Sequence, residues 1–541
     1  MSNNPQSWYD FANQSCKGKT VSTQALSLPS KKWSIAAWAS AAAVSVILSY
    51  LLMLAIALAC IGLPILWLLA GSGMAYSVFL LSVFGLVMGG TILWSLIPRR
   101  DKFEPPGVPI DLTRQPRLHA EIAYIAAALG EPLPAEVYLV PEANAFVAQR
   151  GGIMGVGSRR VMGLGLPLLQ TLDISQFRAV LAHEFAHFYA GDTRLGPWVY
   201  NTRSAILRVF QNLGNASPFL SALSRFVIIY VAYTIIVKSL VLYWKLFMRL
   251  TQFISRRQEF RSDELACYVA GAEPLMEGLK TVNRSAVANA PYWQSVIFPM
   301  VQNGHHPPVA SGFAQFMLAP HIAEAAANHL EQQLKNPRTS PFDTHPPLSA
   351  RLAKASALHT PAVELDTRPA ISLMDDLPAL ELSLLQKLAP ALASKTLKPA
   401  AWETLGTDVY IPMWRSHTAA FVPLLARQNV ADLPDLLKRL EPISSQLKDP
   451  PGLLLTRDQR TDRAAGVVQS ALILALLDHG WTLEARPGFV SLAHQDLILE
   501  PARVFPKLRS GEFKGQDWSS YCEKAGIGGW PLAQTSDAAT A

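Results

Sequence analysis

The residues best suited to chemistry lie in the pentapeptide His183-Glu184-Phe185-Ala186-His187. On a helix, positions i and i+4 share one face, so both imidazoles can reach one zinc ion while Glu184 lies beside it as a candidate general base. The neighbouring Leu181 and Phe188 are apolar, which is typical of a buried helix. Such a pentapeptide also occurs by chance. The alternative interpretation is therefore a surface helix with two incidental histidines. Burying ionisable residues in an apolar helix is costly, which disfavours that alternative.

A third metal ligand is expected, because a catalytic zinc usually takes three protein ligands and keeps a fourth position for water. Glu259, in the run Glu259-Phe260-Arg261-Ser262-Asp263, is the candidate. Asp263 follows one helical turn later and shares the same face. It would orient a ligating side chain from behind, whereas in isolation it would be interpreted as a solvated carboxylate.

A long uncharged stretch precedes these motifs. From Trp33 to Ile97 the chain contains no Asp, Glu, Lys, Arg or His. A spanning helix needs about 20 apolar residues, so the sequence predicts two spans, near 36–62 and 75–97, that form a transmembrane hairpin over 33–98. Basic residues flank both outer ends, namely Lys31, Lys32, Arg99, Arg100 and Lys102. The positive-inside rule places both flanks, and with them the tail 1–32, in the cytoplasm.

A second apolar segment covers 226–247 but contains Lys238 and Lys245. Charges near the middle of a span are costly. The segment is therefore either a third membrane element or an amphipathic helix of the catalytic domain, and the residues leave both interpretations open.

The remaining pattern predicts elements that position the motifs. Asp173 is the predicted N-cap of the helix that carries the pentapeptide, with Gln176 in its first turn and Gly191 at its end. The predicted helices are 118–129, 174–190, 255–270, 315–335 and 348–358, and the predicted strands are 135–140 and a strand edge at 160–163. Residues 380–541 are expected to be helices followed by a mixed segment over 481–508, and they contain no catalytic motif.

Composition narrows the class of protein. Of 541 residues, 50% are apolar and 16% are charged, which favours a membrane protein. The net charge of +7 suits loops that face an anionic leaflet. Because no basic block with interleaved aromatic residues occurs, nucleic acid is not an expected partner. The four cysteines form neither a CxxC pair nor a disulfide pattern, which is typical of a reducing compartment.

Four separate motifs, in this order, resemble the HtpX-type membrane zinc proteases, relatives of the CAAX prenyl proteases. The motifs are Asn144-Ala145-Phe146, His183–His187 with Gly191-Asp192, Glu259–Asp263, and Thr344-His345-Pro346-Pro347-Leu348 with Arg351. Their order and spacing are much more specific than the pentapeptide alone. The resemblance covers about residues 100–360 and the membrane hairpin before them.

The resemblance implies an α+β fold that is mainly α with a small β-sheet: a gluzincin-like domain whose edge strand receives the substrate. It implies that His183, His187 and Glu259 bind one Zn²⁺ per chain. Asn144 and His345 would then steady the substrate or the oxyanion, with Arg351 bracing His345. Asp192 would hold a ligating histidine or cap the helix, and these two roles cannot be separated.

Two departures from the family pattern concern the edge strand and the third-ligand motif. Ser262 stands where the family commonly has Ala, and the Gly expected soon after Asn-Ala-Phe comes later, at Gly151. His305 and His306 lie in a Gly/Pro-containing loop and are interpreted as surface residues.

The sequence thus predicts a membrane-anchored zinc endopeptidase in which Glu184 activates a water molecule. The predicted organisation is a tail (1–32), a hairpin (33–98), a peptidase domain (103–360) and an accessory region (380–541). By resemblance, its substrates are polypeptides such as misfolded membrane proteins, and it lies in a bacterial cytoplasmic membrane with the catalytic domain in the cytoplasm. The alternatives are a CAAX-type prenyl-peptide protease and an inactive, membrane-tethered zinc-binding module. The oligomeric state is not predicted.

Overall fold

The computed structural model describes residues 33–70, 76–153, 156–189, 196–215, 227–336, 345–390, 397–449, 455–513 and 515–534. Helices predominate and are accompanied by small sheets, which confirms the expected fold class. The chain divides into two compact units. The first comprises Met1–Val282 and Leu330–Asp375, and the second comprises Asn283–His329 and Asp376–Ala541. The second unit takes in 283–329, a stretch that the sequence interpretation assigned to the peptidase domain.

The elements are numbered in chain order. The helices are α1 (Trp33–Leu69), α2 (Tyr76–Leu96), α3 (Pro116–Leu129), α4 (Leu166–Thr171), α5 (Ile174–Tyr189), α6 (Gly196–Asn215), α7 (Val227–Ala270), α8 (Ala272–Tyr292), α9 (Phe298–Gln302), α10 (Val309–Leu318), α11 (Pro320–Lys335), α12 (Leu348–Ser356), α13 (Leu377–Leu388), α14 (Ile411–Thr418), α15 (Val422–Leu425), α16 (Leu433–Lys438), α17 (Glu441–Ser444), α18 (Arg457–Asp478), α19 (Pro501–Ser510) and α20 (Gly515–Ala525). The strands are β1 (Val108–Pro109), β2 (Glu136–Val140), β3 (Ala145–Arg150), β4 (Arg159–Gly165), β5 (His305–His306), β6 (Lys398–Pro399), β7 (Thr482–Arg486), β8 (Phe489–His494) and β9 (Leu497–Leu499).

Helices α1 and α2 form the predicted hairpin and pack closely. A Cβ atom added at Gly85 would lie 2.1 Å from the Cys60 carbonyl oxygen, and one at Gly89 would lie 2.7 Å from that of Ala57. Absence of a side chain at these positions lets the two backbones approach each other, as is common between membrane helices. Within the part of the chain that the structure describes, three helical stretches are long and apolar enough to cross a membrane: Ala43–Trp67, Phe79–Leu96 and Ile229–Ala270.

Helix α7 joins two segments that the sequence analysis treated separately, 226–247 and 255–270. It runs without interruption over 44 residues. Neither Gly nor Pro occurs within it, so nothing in the local sequence breaks the helix. Gly271 ends it with φ +94°, a conformation that favours glycine.

The sheet of the first unit has the strand order β1-β2-β4-β3. Strand β4 pairs in parallel with β2 and antiparallel with β3. The strand predicted at 160–163 is therefore confirmed, but it lies inside the sheet and not at its edge. The edges of the sheet are β1 and β3, and neither was predicted as a strand. Gly151 and Gly152, both with positive φ, follow β3 in the turn towards β4.

Helix α5 is placed by its cap and by its apolar face. The Asp173 side chain accepts a hydrogen bond from the Gln176 backbone N–H at 2.7 Å, as predicted. Phe177 and Leu181 are fully buried. Arg178 binds both carboxylate oxygens of Glu121 on α3, at 2.9 and 3.0 Å. These contacts hold α5, and with it the pentapeptide, against the body of the unit. The predicted stop, Gly191, lies outside the described residues.

The second unit is built around apolar helices and a three-stranded antiparallel sheet, β7-β8-β9. Its buried residues include Phe313, Phe316, Trp402 and Trp518. The mixed segment predicted over 481–508 corresponds to this sheet and α19. His305 and His306 are half-buried in β5, which pairs with β6, so they are more enclosed than the predicted surface loop.

Candidate metal centre

Helices α5 and α7 bring two histidines and one glutamate together. His183 Nε2 lies 3.5 Å from Glu259 Oε2, and His187 Nε2 lies 3.5 Å from Glu259 Oε1. One ligand atom from each of the three side chains lies within 4.8 Å of the others. His183 and Glu259 are buried, and His187 is partly exposed. The sequence-predicted ligands thus converge although they come from distant parts of the chain.

This arrangement fits a single metal ion. Two atoms that each lie about 2.1 Å from one tetrahedral zinc ion are separated by about 3.4 Å, close to the two separations observed. Glu259 Oε2 is also buried without a hydrogen-bond partner among the described residues. A buried carboxylate oxygen without a hydrogen bond is costly, and a bound cation would reduce that cost.

The other nitrogen of each imidazole faces a polar side chain of α7. His183 Nδ1 lies 3.0 Å from Asp263 Oδ1, and the Ser262 hydroxyl lies 3.2 Å from His187 Nδ1. Such contacts fix the orientation of a ligating ring and leave its Nε2 free to bind an ion. Asp263 was expected behind a ligand; Ser262 was noted only as a departure from the family pattern. The sequence did offer a signal for Ser262: it lies three residues after Glu259, and residues three apart lie on the same face of a helix.

Arg351 from α12 contacts the side chains that lie behind the imidazole rings. Its guanidinium donates to both Asp263 oxygens, from Nε at 2.8 Å and from Nη2 at 2.6 Å. The side chain is buried, and its Nη1 lies 3.5 Å from Glu259 Oε2. The resemblance had implied His345 as the partner of Arg351. The observed pairing follows from burial, because the buried Asp263 carboxylate needs a cation.

The two histidines differ in their electrostatic surroundings. Burial opposes the charged form of His183, but its contacts with Asp263 and Glu259 prevail and raise its pKa to about 9. Burial and the neighbouring charge of His183 lower the pKa of His187 to about 4. Without a metal, His183 is therefore protonated at neutral pH and His187 is neutral.

Glu184 is partly buried and is not one of the three converging side chains. Burial raises the pKa of this carboxyl group above its ordinary value. A shift in this direction brings a carboxylate closer to the range in which it can accept and return a proton near neutral pH.

The remaining predicted residues lie at the edge of the centre or outside the described chain. His345 is exposed, and its Nδ1 lies 2.9 Å from Glu259 Oε2 without hydrogen-bonding geometry. Asn144 is exposed and directly precedes the edge strand β3. Asp192 lies outside the described residues, so its two candidate roles remain predictions.

Comparison with known families agrees with this geometry. Residues 112–359 match the family model described as Peptidase family M48. This part of the chain is an M48 peptidase domain. The M48 family includes HtpX-type and CAAX-type proteases, so the resemblance drawn from the four motifs is confirmed. No solved structure matches the chain.

The M48 match begins in the short helical turn before α3 and ends just after α12. It contains the three converging side chains, Glu184 and Arg351. Helices α1 and α2 and residues after 359 lie outside it. The domain is a metallopeptidase domain with a cluster that could hold a metal ion, and helices apolar enough to span a membrane accompany it.

Proposed function

We propose that the protein is a membrane-anchored zinc endopeptidase. The observation that carries this proposal is the convergence of His183, His187 and Glu259 on one point, with the nearby Glu184 left out of the ligand set. Three ligands of the His/His/Glu type leave one position of a tetrahedral zinc ion open, which is typical of catalytic sites. Cysteine, common in closed structural zinc sites, is absent from the cluster in the described chain.

Zinc, when bound, would polarise the scissile carbonyl and lower the pKa of a water molecule towards about 7. The Glu184 carboxylate would accept a proton from that water and later return it to the leaving amine. Its raised pKa supports this role, because a stronger base accepts the proton more readily. Asp263 and Ser262 would hold the two imidazoles in orientation throughout.

The edge strand β3 offers a binding surface for an extended peptide. Its outer side carries backbone groups that no strand of the described sheet covers, and peptides commonly bind such edges by adding a strand. Asn144 at the start of β3 and His345 beside Glu259 are suited to donate hydrogen bonds to the substrate or to a developing oxyanion. This arrangement supports polypeptides as the substrate class.

The apolar helices support an integral membrane protein, and the basic residues after α2 support a cytoplasmic site. We infer that its substrates include damaged or misassembled membrane proteins in a bacterial cytoplasmic membrane. The resemblance to HtpX-type proteases is the support for this choice.

A direct test measures zinc content and proteolysis in the full-length protein purified in detergent. We expect about one zinc ion per chain and cleavage of an unfolded, casein-type substrate that a chelator abolishes and added zinc restores. Zinc without cleavage of varied substrates would instead favour the tethered binding module. Cleavage confined to prenylated C-terminal peptides would favour the CAAX-type protease.

A further inference from the structure

Helix α7 connects the membrane region directly to the metal centre. Its first half packs on the hairpin, and its second half carries Glu259 and Asp263. An uninterrupted helix is a stiff element, and α7 has neither Gly nor Pro at which it could bend. The separation between the membrane part and Glu259 is therefore fixed by the number of residues between them.

Contacts with α1 determine which part of α7 lies in the bilayer. Towards one end, the Tyr243 hydroxyl contacts the Ser49 hydroxyl and donates to the Ser45 carbonyl oxygen at 3.3 Å. Towards the other end, Ala232 and Ile236 line an apolar cavity together with Cys60 of α1. Helix α7 thus runs antiparallel to α1, and its apolar half lies beside the stretch of α1 that is apolar enough to span a membrane. With the charged half of α7 in the cytoplasm, Val227 lies towards the opposite side of the bilayer, so this placement requires one further crossing of the chain between α5 and α7.

Charged and exposed side chains mark the edge of that apolar half. Lys245 and Arg249 are exposed on α7, whereas Leu242 and Leu246 expose apolar surface at the same level. Lysine and arginine at the end of a span extend their charged groups to the bilayer surface. Lys238 is also exposed, about two turns nearer the middle of the apolar half, from where its long side chain can extend towards the same surface. The stretch from Val227 to Phe247 is about 30 Å long at 1.5 Å per residue, which matches the hydrocarbon thickness. The bilayer edge is thus assigned to Lys245–Arg249.

Glu259 lies ten to fourteen residues beyond this edge on the same helix. At 1.5 Å per residue, the metal centre stands about 15–20 Å from the bilayer surface. Helix α5 packs tightly on this half of α7 through the Ser262–His187 and Asp263–His183 contacts. This packing keeps the metal centre at a fixed distance from the bilayer surface.

We propose that α7 acts as a fixed spacer, so that the enzyme cleaves membrane-anchored polypeptides only at bonds at least five or six residues outside the bilayer. An extended chain advances about 3.3 Å per residue, so a shorter segment cannot reach the centre. This proposal rests on the proposed endopeptidase function. It defines the substrate class as extended segments that protrude from the membrane, and it excludes bonds within or next to the hydrocarbon region.

The test uses the full-length enzyme in proteoliposomes with model substrates that contain one transmembrane helix and one cleavable segment. Uncharged spacers of about 2, 5, 8 and 12 residues separate the two. The same cleavable segment without an anchor serves as a reference substrate, and Glu184→Gln enzyme serves as the blank. Mass spectrometry of the products locates the first bond cleaved.

We expect the reference peptide to be cleaved and the anchored substrates to be cleaved only with the longer spacers. The first cleaved bond should stay at a constant distance from the bilayer edge. Cleavage within about three residues of the membrane, or no cleavage of any anchored substrate while the reference is cleaved, would overturn the spacer proposal alone. Failure to cleave the reference peptide would overturn the proposed function and the spacer proposal with it.

Discussion

At the scale of single residues, the two nitrogen atoms of each imidazole face different partners. The Nε2 atoms of His183 and His187 face Glu259, whereas their Nδ1 atoms face Asp263 and Ser262. In the proposed zinc site, Glu259 of α7 would bind the ion, whereas Asp263 and Ser262 of the same helix would orient the imidazoles. Substitutions at Glu259 should remove the metal, whereas substitutions behind the rings should change their orientation.

Variants of the centre should separate metal binding from turnover. Glu184→Gln removes the proposed base but no ligand, so we expect zinc content to be kept and kcat to fall about 10²–10⁴-fold. His187→Ala and Glu259→Ala should lose both zinc and activity. Metal analysis and cleavage of an unfolded substrate, measured on the same samples, test this pattern. Full activity in Glu184→Gln would show that another group acts as the base.

Metal binding should release a proton at neutral pH. The pKa of His183 is raised to about 9, so this ring is protonated below pH 9 in the metal-free protein and must lose its proton to bind the ion. The pKa of His187 is about 4, so this ring contributes no proton near pH 7. Titration calorimetry in buffers of different ionisation enthalpy measures the release. The release should fall by about one proton as the pH rises through 9, because the His183 ring is then already neutral; a release that does not fall over this range would contradict this assignment.

At the scale of secondary-structure elements, one buried ion pair joins α12 to α7. In the zinc-loaded protein, in which His183 would be neutral, Arg351→Ala would leave the Asp263 carboxylate buried without its cation, so we expect a loss of about 3–5 kcal/mol in the free energy of unfolding. Arg368→Ala is the matched control, because Arg368 pairs with Asp366 at the surface and is 72% exposed. Exposed pairs contribute about 0–1 kcal/mol. Thermal unfolding in detergent compares the variants, and equal effects would contradict the assigned role of burial.

The glycines of the hairpin offer a second comparison between elements. Gly85→Ala would place a Cβ atom 2.1 Å from the Cys60 carbonyl oxygen, whereas a Cβ atom at Gly90 meets nothing within 4 Å. We expect Gly85→Ala to destabilise the hairpin by about 1–3 kcal/mol, the range for overpacking, and Gly90→Ala to be neutral or stabilising. Unfolding in mixed detergent micelles measures both variants. A stable Gly85→Ala variant would mean that α1 and α2 pack differently.

At the scale of the whole molecule, the membrane helices determine which compartment contains the metal centre. Basic residues after α2 and along the second half of α7 favour the cytoplasmic side. We therefore expect proteases to digest the part of the chain after α7 in inverted vesicles and to leave it intact in sealed right-side-out vesicles. Immunoblots against the C-terminal region report the fragments. Digestion in right-side-out vesicles would reverse the proposed orientation.

Local sequence patterns determined much of this protein. The pentapeptide, the Asp173 cap and the helix 118–129 depend on short-range spacing, and the structure contains them as expected. The uncharged stretch 33–97 likewise predicted the hairpin, because length and apolarity suffice for a span. The four motifs together predicted the resemblance to HtpX-type proteases, which the match of residues 112–359 to the M48 family model confirms.

Only the tertiary structure decided how distant segments meet. Strand β3 was missed, and β4, predicted at 160–163, lies inside the sheet and not at its edge, because pairing partners are set by contacts across the sheet. The partner of Arg351 is Asp263 because both are buried at one place, which sequence spacing does not reveal. The sequence pattern did not predict that α7 is one helix, because its residues change from apolar to charged part-way along. The helix nevertheless continues, since no Gly or Pro interrupts it.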